Sequence, residues 1–109
     1  RLDNGVILQP LAAGHGAVPT PADQVSVHYE GALVDGTVFD SSRQRGQPAT
    51  LPVKGVIPCW TSALQQMRVG ARTRIVCPPE LAYGERGAPP TIKPGATLVF
   101  DIELLAIVR

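Results

Sequence analysis

The sequence lacks any apolar run long enough to cross a membrane as a helix. Such a helix needs roughly 20 apolar residues, whereas the run near the chain end, from Leu104 to Val108, has the length of a strand. Charge is also scarce, because charged residues make up 17% of the chain and the net charge is only +1. Phosphate-binding surfaces are usually far more basic. The composition therefore excludes membrane insertion of this segment and disfavours nucleic acid as a partner.

Residues that ligate metals or act as nucleophiles are also few. Cys59, Cys77, His15 and His28 show no metal-ligand spacing. No serine, histidine and acid form a recognisable nucleophile motif. The segment Gly14-His15-Gly16 lacks the third glycine of a dinucleotide fingerprint and is predicted to be a spacer. We therefore expect neither zinc nor hydrolase chemistry, and no metal or cofactor.

One segment, from Val56 to Gly70, has apolar residues at helical spacing. Its apolar stripe consists of Trp60, Ala63, Leu64 and Met67. Pro58 suits the first turn of a helix, and Gly70 suits the left-handed residue that follows the last turn. The pattern predicts an amphipathic helix of about 10 residues, which is marginal alone and must pack on other elements. We expect its apolar stripe to face a sheet.

Alternating apolar and polar residues predict the strands of that sheet. The strand from Val25 to Leu33 enters a hairpin with a turn at Asp35-Gly36, and Thr37 to Asp40 returns as its partner. The other predicted strands are Val6 to Leu11, Ala49 to Val53, Arg72 to Cys77 and Thr97 to Val108. The first is expected at an edge because it contains a proline. The last is expected to be long and central, with its even-numbered residues all apolar.

The remaining segments are predicted to be irregular. Residues 41–48 form a polar bulge or flap, and residues 80–95 form a loop that is long enough to carry function. Paired strands with one helix against a face define an antiparallel α+β domain. At 109 residues, the chain 1–109 is expected to be a single domain.

The five aromatic residues and one acid allow two interpretations. The aromatics are Tyr29, Phe39, Trp60, Tyr83 and Phe100. They can be ordinary core residues or the walls of a pocket. Asp40 stands five residues before Arg45, so it can form a partly buried ion pair or simply cap a turn.

Four blocks of sequence resemble one family over nearly the whole chain. They are VHYEGALVDGTVFDSS from Val27, Val56-Ile57-Pro58 with Trp60, Leu81-Ala82-Tyr83-Gly84, and ATLVFDIELL from Ala96. In this order they are similar to the FKBP family of peptidyl-prolyl cis-trans isomerases. The segments RGQPAT and VIP are most similar to bacterial macrophage infectivity potentiator proteins. The resemblance implies a twisted antiparallel β-sheet wrapped around one short α-helix.

The resemblance also implies an activity and a site. The activity is peptidyl-prolyl isomerase, or rotamase, turnover of X-Pro bonds in polypeptides, which assists protein folding and is associated with virulence. The alternative is a non-catalytic chaperone or docking module that uses the same proline-binding pocket. The implied catalytic residues are Asp40, Tyr83, Tyr29, Phe39, Trp60 and Phe100, and the implied substrate- and inhibitor-binding residues are Arg45, Val56, Ile57 and Ile92.

Each group has an implied role. Trp60 is the floor for the proline ring, the Tyr83 hydroxyl and the Ile57 backbone N–H donate to ligand carbonyls, and Asp40 is held by Arg45 and Tyr29. Macrolides of the rapamycin type are implied ligands. The family resemblance further implies a periplasmic, outer-membrane-associated or secreted protein, with this domain monomeric and the full-length protein a dimer through an N-terminal segment.

Some positions depart from the family pattern. Ala49 stands where many members have an aromatic residue, and Ala88 and Thr91 differ from the animal pattern, so a more open pocket rim is expected. Cys59 replaces the usual glycine before Trp60. Spacing alone permits a disulfide between Cys59 and Cys77, but because buried free cysteine is common we expect two free thiols.

Overall fold

The computed structural model describes residues 5–87 and 92–108, and Ala88 and Thr91 lie outside this part. The six strands are β1 (Ile7–Ala12), β2 (Gln24–Leu33), β3 (Val38–Ser41), β4 (Ala49–Pro52), β5 (Arg72–Cys77) and β6 (Leu98–Val108). The α-helices are α1 (Ser42–Arg45) and α2 (Pro58–Leu64), and single 3-10 turns span Val53–Gly55 and Pro79–Leu81. No helix in the described ranges is long and apolar enough to cross a membrane.

The strands form one antiparallel sheet in the order β1-β5-β6-β2-β3, and β4 also pairs with β2. The long strand β6 lies between β5 and β2, which confirms its predicted central position. Within the described sheet, β1 pairs only with β5 and therefore lies at an edge, as its proline predicts. The expected architecture, an antiparallel sheet with a short helix packed on it, is confirmed.

Helix α2 packs its apolar stripe into the core but is shorter than predicted. The helix ends at Leu64, and the next backbone bonds are the tighter ones from Gln66 N–H to Ala63 O and from Met67 N–H to Leu64 O. Met67 is nevertheless 2% exposed, because the turn still delivers its side chain to the core. Gly70 has the expected positive φ of 96°, but it serves the turn into β5 rather than the helix end.

A bulge in β6 changes which residues face the core. Val27 pairs with Leu104, whereas its neighbour Ser26 pairs with Ala106, so Leu105 is the extra residue. Beyond this point Ile107 packs against the core and Val108 is 43% exposed. The prediction of a single apolar face on even-numbered residues is therefore wrong after Leu104, because the bulge reverses the alternation.

The two cysteines form a disulfide, so the expectation of two free thiols is wrong. Cys59 lies in the first turn of α2 and Cys77 is the last residue of β5. Both side chains are fully buried in the same core, and their Cα atoms are 5.7 Å apart. This separation is within the limit of roughly 7 Å for a bridge. Packing of the helix start on the sheet therefore brings the thiols into bonding range.

Candidate active site

A cavity of about 300 Å³ opens between the start of α2, the sheet and the loop after β5. Eight of the ten residues proposed for the site from the sequence line it. They are Tyr29, Phe39, Asp40, Val56, Ile57, Trp60, Tyr83 and Phe100. Five different segments therefore converge on one apolar space with a single acid at its wall.

The floor of the cavity is built from aromatic rings that contact one another edge to face. The Trp60 ring lies 5.1 Å from the Tyr29 ring and 5.3 Å from the Phe100 ring, measured between centroids, with interplanar angles of 80° and 86°. Phe39 meets Phe100 in the same way at 5.8 Å. Such contacts are favourable beyond simple burial. The rings therefore hold one another in place. Trp60, at the centre of these contacts, is only 3% exposed.

The indole Nε1 of Trp60 is buried and has no hydrogen-bond partner among the described residues. Tyr83 differs from Trp60 because its side chain is 39% exposed at the cavity mouth. Its hydroxyl makes no hydrogen bond to another described residue.

Asp40 is the polar centre of the cavity wall. The Tyr29 hydroxyl donates to its Oδ2 at 2.5 Å, and Arg45 donates to its Oδ1 as an ion pair. Arg45 also donates to the Tyr29 hydroxyl oxygen at 3.0 Å and lies over the Tyr29 ring. Strand β3 supplies Asp40, strand β2 supplies Tyr29, and helix α1 supplies Arg45. This network resolves the two earlier interpretations of Asp40 in favour of the ion pair.

The network changes the proton affinities of its members. Partial burial opposes ionisation of Asp40, but the hydrogen bonds from Tyr29 and Arg45 outweigh it and hold the pKa of the carboxyl below its ordinary value. Burial and the hydrogen bond to Asp40 raise the pKa of Tyr29. At neutral pH the pair is therefore an ionised carboxylate and a neutral phenol that donates to it.

Ser42 anchors the helix that carries Arg45. Its side chain is fully buried, and its Oγ accepts from the Tyr29 backbone N–H at 2.7 Å and lies 2.9 Å from His28 Nδ1. Helix α1 is capped by the Ser41 side chain, which accepts from Gln44 N–H, and by Gly46 at a φ of 77°. The two serines of the segment FDSS were a sequence signal for this short helix that the apolar pattern missed.

Two site residues proposed from the sequence do not line the cavity. Arg45 contacts Asp40 and Tyr29 from outside it, with 51% of its side chain exposed. Ile92 is 4% exposed and belongs to the core. Conversely, the cavity has two lining residues that sequence reasoning missed, Leu51 and Gly55.

Gly31 also shapes the cavity, although it does not line it. A Cβ atom at this position would lie 2.7 Å from Phe39 Cζ and 2.8 Å from Phe100 Cε1. Contacts this short do not occur in folded proteins without displacement of a neighbour. Glycine at this strand position therefore lets both rings approach the backbone of β2. The sequence does not indicate why glycine follows Tyr29-Glu30, whereas the packing shows that Gly31 leaves room for the two rings.

The arrangement suits binding of an apolar, neutral group. Within residues 5–87 and 92–108, no group of three or more His, Cys, Asp or Glu side chains is placed to hold a metal ion. The cavity combines apolar walls with a few placed polar groups, which is the usual composition of a ligand pocket. A proline ring, or another compact apolar ring next to carbonyl groups, fits this chemistry.

Comparison with known proteins identifies the family. The FKBP-type peptidyl-prolyl cis-trans isomerase family matches residues 16–105. The chain belongs to this family. The resemblance inferred from the sequence blocks is thereby confirmed, including its similarity to Mip proteins.

Individual relatives agree with this assignment. The chain is 53% identical to the FKBP-type 22 kDa peptidyl-prolyl cis-trans isomerase of Escherichia coli over 96% of this chain and 51% of the relative. It is 52% identical to the peptidyl-prolyl cis-trans isomerase Mip of Coxiella burnetii over 97% of this chain and 46% of the relative. The crystal structure of FkpA from Escherichia coli matches with a TM-score of 0.93 and 45% identity, covering 97% of this chain and 49% of that one. The chain thus spans about half the length of these relatives.

Proposed function

We propose that this FKBP domain catalyses cis-trans isomerisation of X-Pro bonds in polypeptides by binding the twisted amide in the Trp60 cavity. The single observation that carries the proposal is the convergence of five aromatic side chains and a held carboxylate on one cavity of about 300 Å³. Family membership supports the same reaction. No nucleophile is required, because the reaction breaks no covalent bond.

The physical basis lies in the amide itself. Resonance gives the C–N bond partial double-bond character, and uncatalysed X-Pro exchange takes roughly tens of seconds. A twisted amide loses this resonance and has less charge separation than the planar one. An apolar cavity therefore disfavours the twisted amide less than the planar one and lowers the barrier. The rings of Trp60, Tyr29 and Phe100 provide such surroundings.

The polar groups have proposed positioning roles. The Tyr83 hydroxyl at the cavity mouth and the Ile57 backbone N–H at the start of α2 donate to carbonyls on either side of the proline. Asp40, ionised and held by Tyr29 and Arg45, fixes the wall that faces the rotating bond. Ile92 belongs to the core cluster, and its role in substrate binding stays a prediction.

The test is isomerisation of a tetrapeptide containing X-Pro, measured with the wild-type domain and an Asp40→Leu variant. We expect the wild type to accelerate exchange and the variant to retain its fold with about tenfold lower kcat/KM. Asp35→Asn is the matched control, because Asp35 is an exposed acid at the hairpin turn outside the cavity. Full activity of Asp40→Leu would overturn the role given to Asp40, and an inactive wild type would overturn the reaction.

We also propose macrolides of the rapamycin type as ligands of the same cavity, since they present a ring next to carbonyl groups. Titration should change the fluorescence of the one tryptophan in the chain, Trp60, and raise the melting temperature. Unchanged emission and melting at saturating macrolide would contradict this assignment. For the chain 1–109 we propose a single monomeric domain, which sedimentation of these residues tests.

For the whole protein we propose action outside the cytoplasm, in the periplasm, at the outer membrane or after secretion, with a contribution to virulence and dimerisation through an N-terminal segment. The Cys59–Cys77 disulfide supports this location, because disulfides persist mainly in oxidising compartments. Similarity to a Mip protein supports the link to virulence. Cell fractionation with thiol trapping tests the location. Recovery of the protein in the cytoplasm with reduced cysteines would contradict it.

A further inference from the structure

The Cys59–Cys77 disulfide joins the two chain segments that supply Trp60 and Tyr83 to the cavity. Cys59 immediately precedes Trp60 in the first turn of α2. Cys77 ends β5, and the chain then continues through the 3-10 turn Pro79–Leu81 to Tyr83. The cross-link therefore lies next to Trp60 and six residues before Tyr83 along the chain.

We propose that this disulfide is a positioning element of the isomerase site. It fixes Trp60 and the loop that carries Tyr83 relative to each other, so that the cavity keeps one width in the absence of substrate. This inference rests on the proposed function, because it assigns the cross-link a role in that same site. Preorganisation of this kind raises kcat/KM, because substrate binding no longer has to order the site.

Within the described ranges, the start of α2 is held to the sheet by packing rather than by hydrogen bonds. The helix has only seven residues, and its N-cap, Ile57, makes no side-chain capping bond. Thr61 Oγ1 donates to Val53 O at 2.7 Å, which ties the helix to the preceding 3-10 turn rather than to the sheet. Among the described residues, no hydrogen bond joins the first turn of α2 to β5. The first turn of α2 is therefore joined to β5 by packing and by the disulfide.

The loop that carries Tyr83 is held mainly by bonds to its own residues. Leu81 N–H donates to Pro78 O, and Ala82 and Gly84 N–H both donate to Pro79 O. Among the described residues, the backbone bond from this loop to a more distant segment runs from Gly95 N–H to Gly84 O at 2.9 Å. The position of Tyr83 therefore depends on the end of β5 at Cys77, which is held both by pairing with Leu98 of β6 and by the disulfide.

The burial of the disulfide argues against a redox reaction of these cysteines. Both cysteine side chains are fully buried. Thiol–disulfide exchange requires a thiolate to reach one of the sulfur atoms, and the folded protein offers no such access. The bridge is therefore a permanent part of the folded domain.

The test compares oxidised and reduced wild-type protein at a temperature well below the melting point of either form. Reduction is carried out in denaturant before refolding, and two free thiols are verified by titration. We expect the reduced form to keep its far-UV circular dichroism but to lose at least about fivefold in kcat/KM on an X-Pro tetrapeptide. Trp60 emission should shift, and amide exchange at residues 81–84 should become faster.

A purely structural disulfide gives a different result. In that case reduction lowers the melting temperature, but kcat/KM, the wavelength of Trp60 emission and local amide exchange at residues 81–84 stay the same. That result would overturn the positioning role. The double variant Cys59→Ala/Cys77→Ala is the control, because it should behave like the reduced form and be insensitive to reductant. If this variant does not fold, reduced wild type alone decides.

The two proposals fail in different ways. If the oxidised protein does not isomerise the peptide, the proposed reaction is wrong, and emission and amide exchange still decide whether the bridge holds the cavity. If the oxidised and reduced forms are equally active, the reaction stands and the positioning role is wrong.

Discussion

Tyr29→Phe isolates the hydroxyl that connects the cavity floor to Asp40. The substitution keeps the ring and its edge contact with Trp60 at 5.1 Å. It removes the donor to Asp40 Oδ2 at 2.5 Å and the acceptor for Arg45 at 3.0 Å. Any effect therefore comes from the lost hydrogen bonds and not from a cavity in the core.

The expected magnitude follows from the exposure of the partner. Hydrogen bonds to charged groups contribute roughly 1.5–3 kcal/mol to stability. The Asp40 side chain is 38% exposed, so water replaces part of the loss. We expect a cost of about 1 kcal/mol in unfolding free energy, which lowers the melting temperature by about 4 °C. If the transition state for isomerisation loses the same stabilisation of about 1 kcal/mol, kcat/KM falls about fivefold.

The most specific readout is the titration of Asp40 followed by carboxyl-carbon NMR. The hydrogen bond from Tyr29 is one cause of the low pKa of Asp40, so the pKa should rise in Tyr29→Phe. Tyr83→Phe is the matched control. It makes the same chemical change at the cavity mouth, where the hydroxyl has no described partner, and should leave the Asp40 pKa and the melting temperature unchanged. An unaltered Asp40 titration in Tyr29→Phe would refute the network.

Three further perturbations concern the packing at Gly31, the Arg72–Asp101 ion pair and the disulfide. Gly31→Ala should destabilise the domain by about 1–3 kcal/mol through overpacking against Phe39 and Phe100, and an unchanged free energy of unfolding in denaturant melts would contradict this. Arg72→Gln should destabilise the domain at neutral pH and have less effect below about pH 4. Arg72 holds the Asp101 pKa below its ordinary value, and the stabilisation from this pair is lost as acid protonates Asp101. A pH-independent difference between the two proteins in denaturant melts would refute this. Reduction opens the loop that the disulfide closes, whose ends are separated by 18 in the sequence. The free energy of unfolding should fall by about 3 kcal/mol and the melting temperature by about 10–20 °C. A calorimetric shift below about 3 °C would contradict a stabilising effect of loop closure.

Alternation and helical spacing were sufficient to predict most elements, because each element buries one face. Strand β5 lies where its alternation places it, with Thr73, Ile75 and Cys77 buried. The pattern did not indicate α1, since this one-turn helix has no apolar stripe and is defined by its caps at Ser41 and Gly46. The bulge at Leu105 was also hidden, because the residues on both sides of it are apolar and the change of face leaves no mark in the pattern.

The candidate site followed from family resemblance rather than from periodicity. Aromatic residues at pocket positions look the same in sequence as aromatic residues of a core, and Trp60 is in fact both. Leu51 and Gly55 were missed because lining a cavity depends on how neighbouring segments converge. The disulfide was missed for the same reason, since the 5.7 Å between the Cα atoms of Cys59 and Cys77 is a property of helix-on-sheet packing.

Exchange NMR of an X-Pro tetrapeptide at equilibrium tests the central claim most directly, because it observes isomerisation without a coupled protease. With a substoichiometric amount of the oxidised domain, cis and trans signals should show exchange cross-peaks within mixing times of about one second, whereas the uncatalysed peptide exchanges over tens of seconds or more. An Asp40→Leu sample should show weaker cross-peaks at the same concentration. Peptide binding to the Trp60 cavity without any exchange cross-peak would contradict catalysis and identify the domain as a docking module.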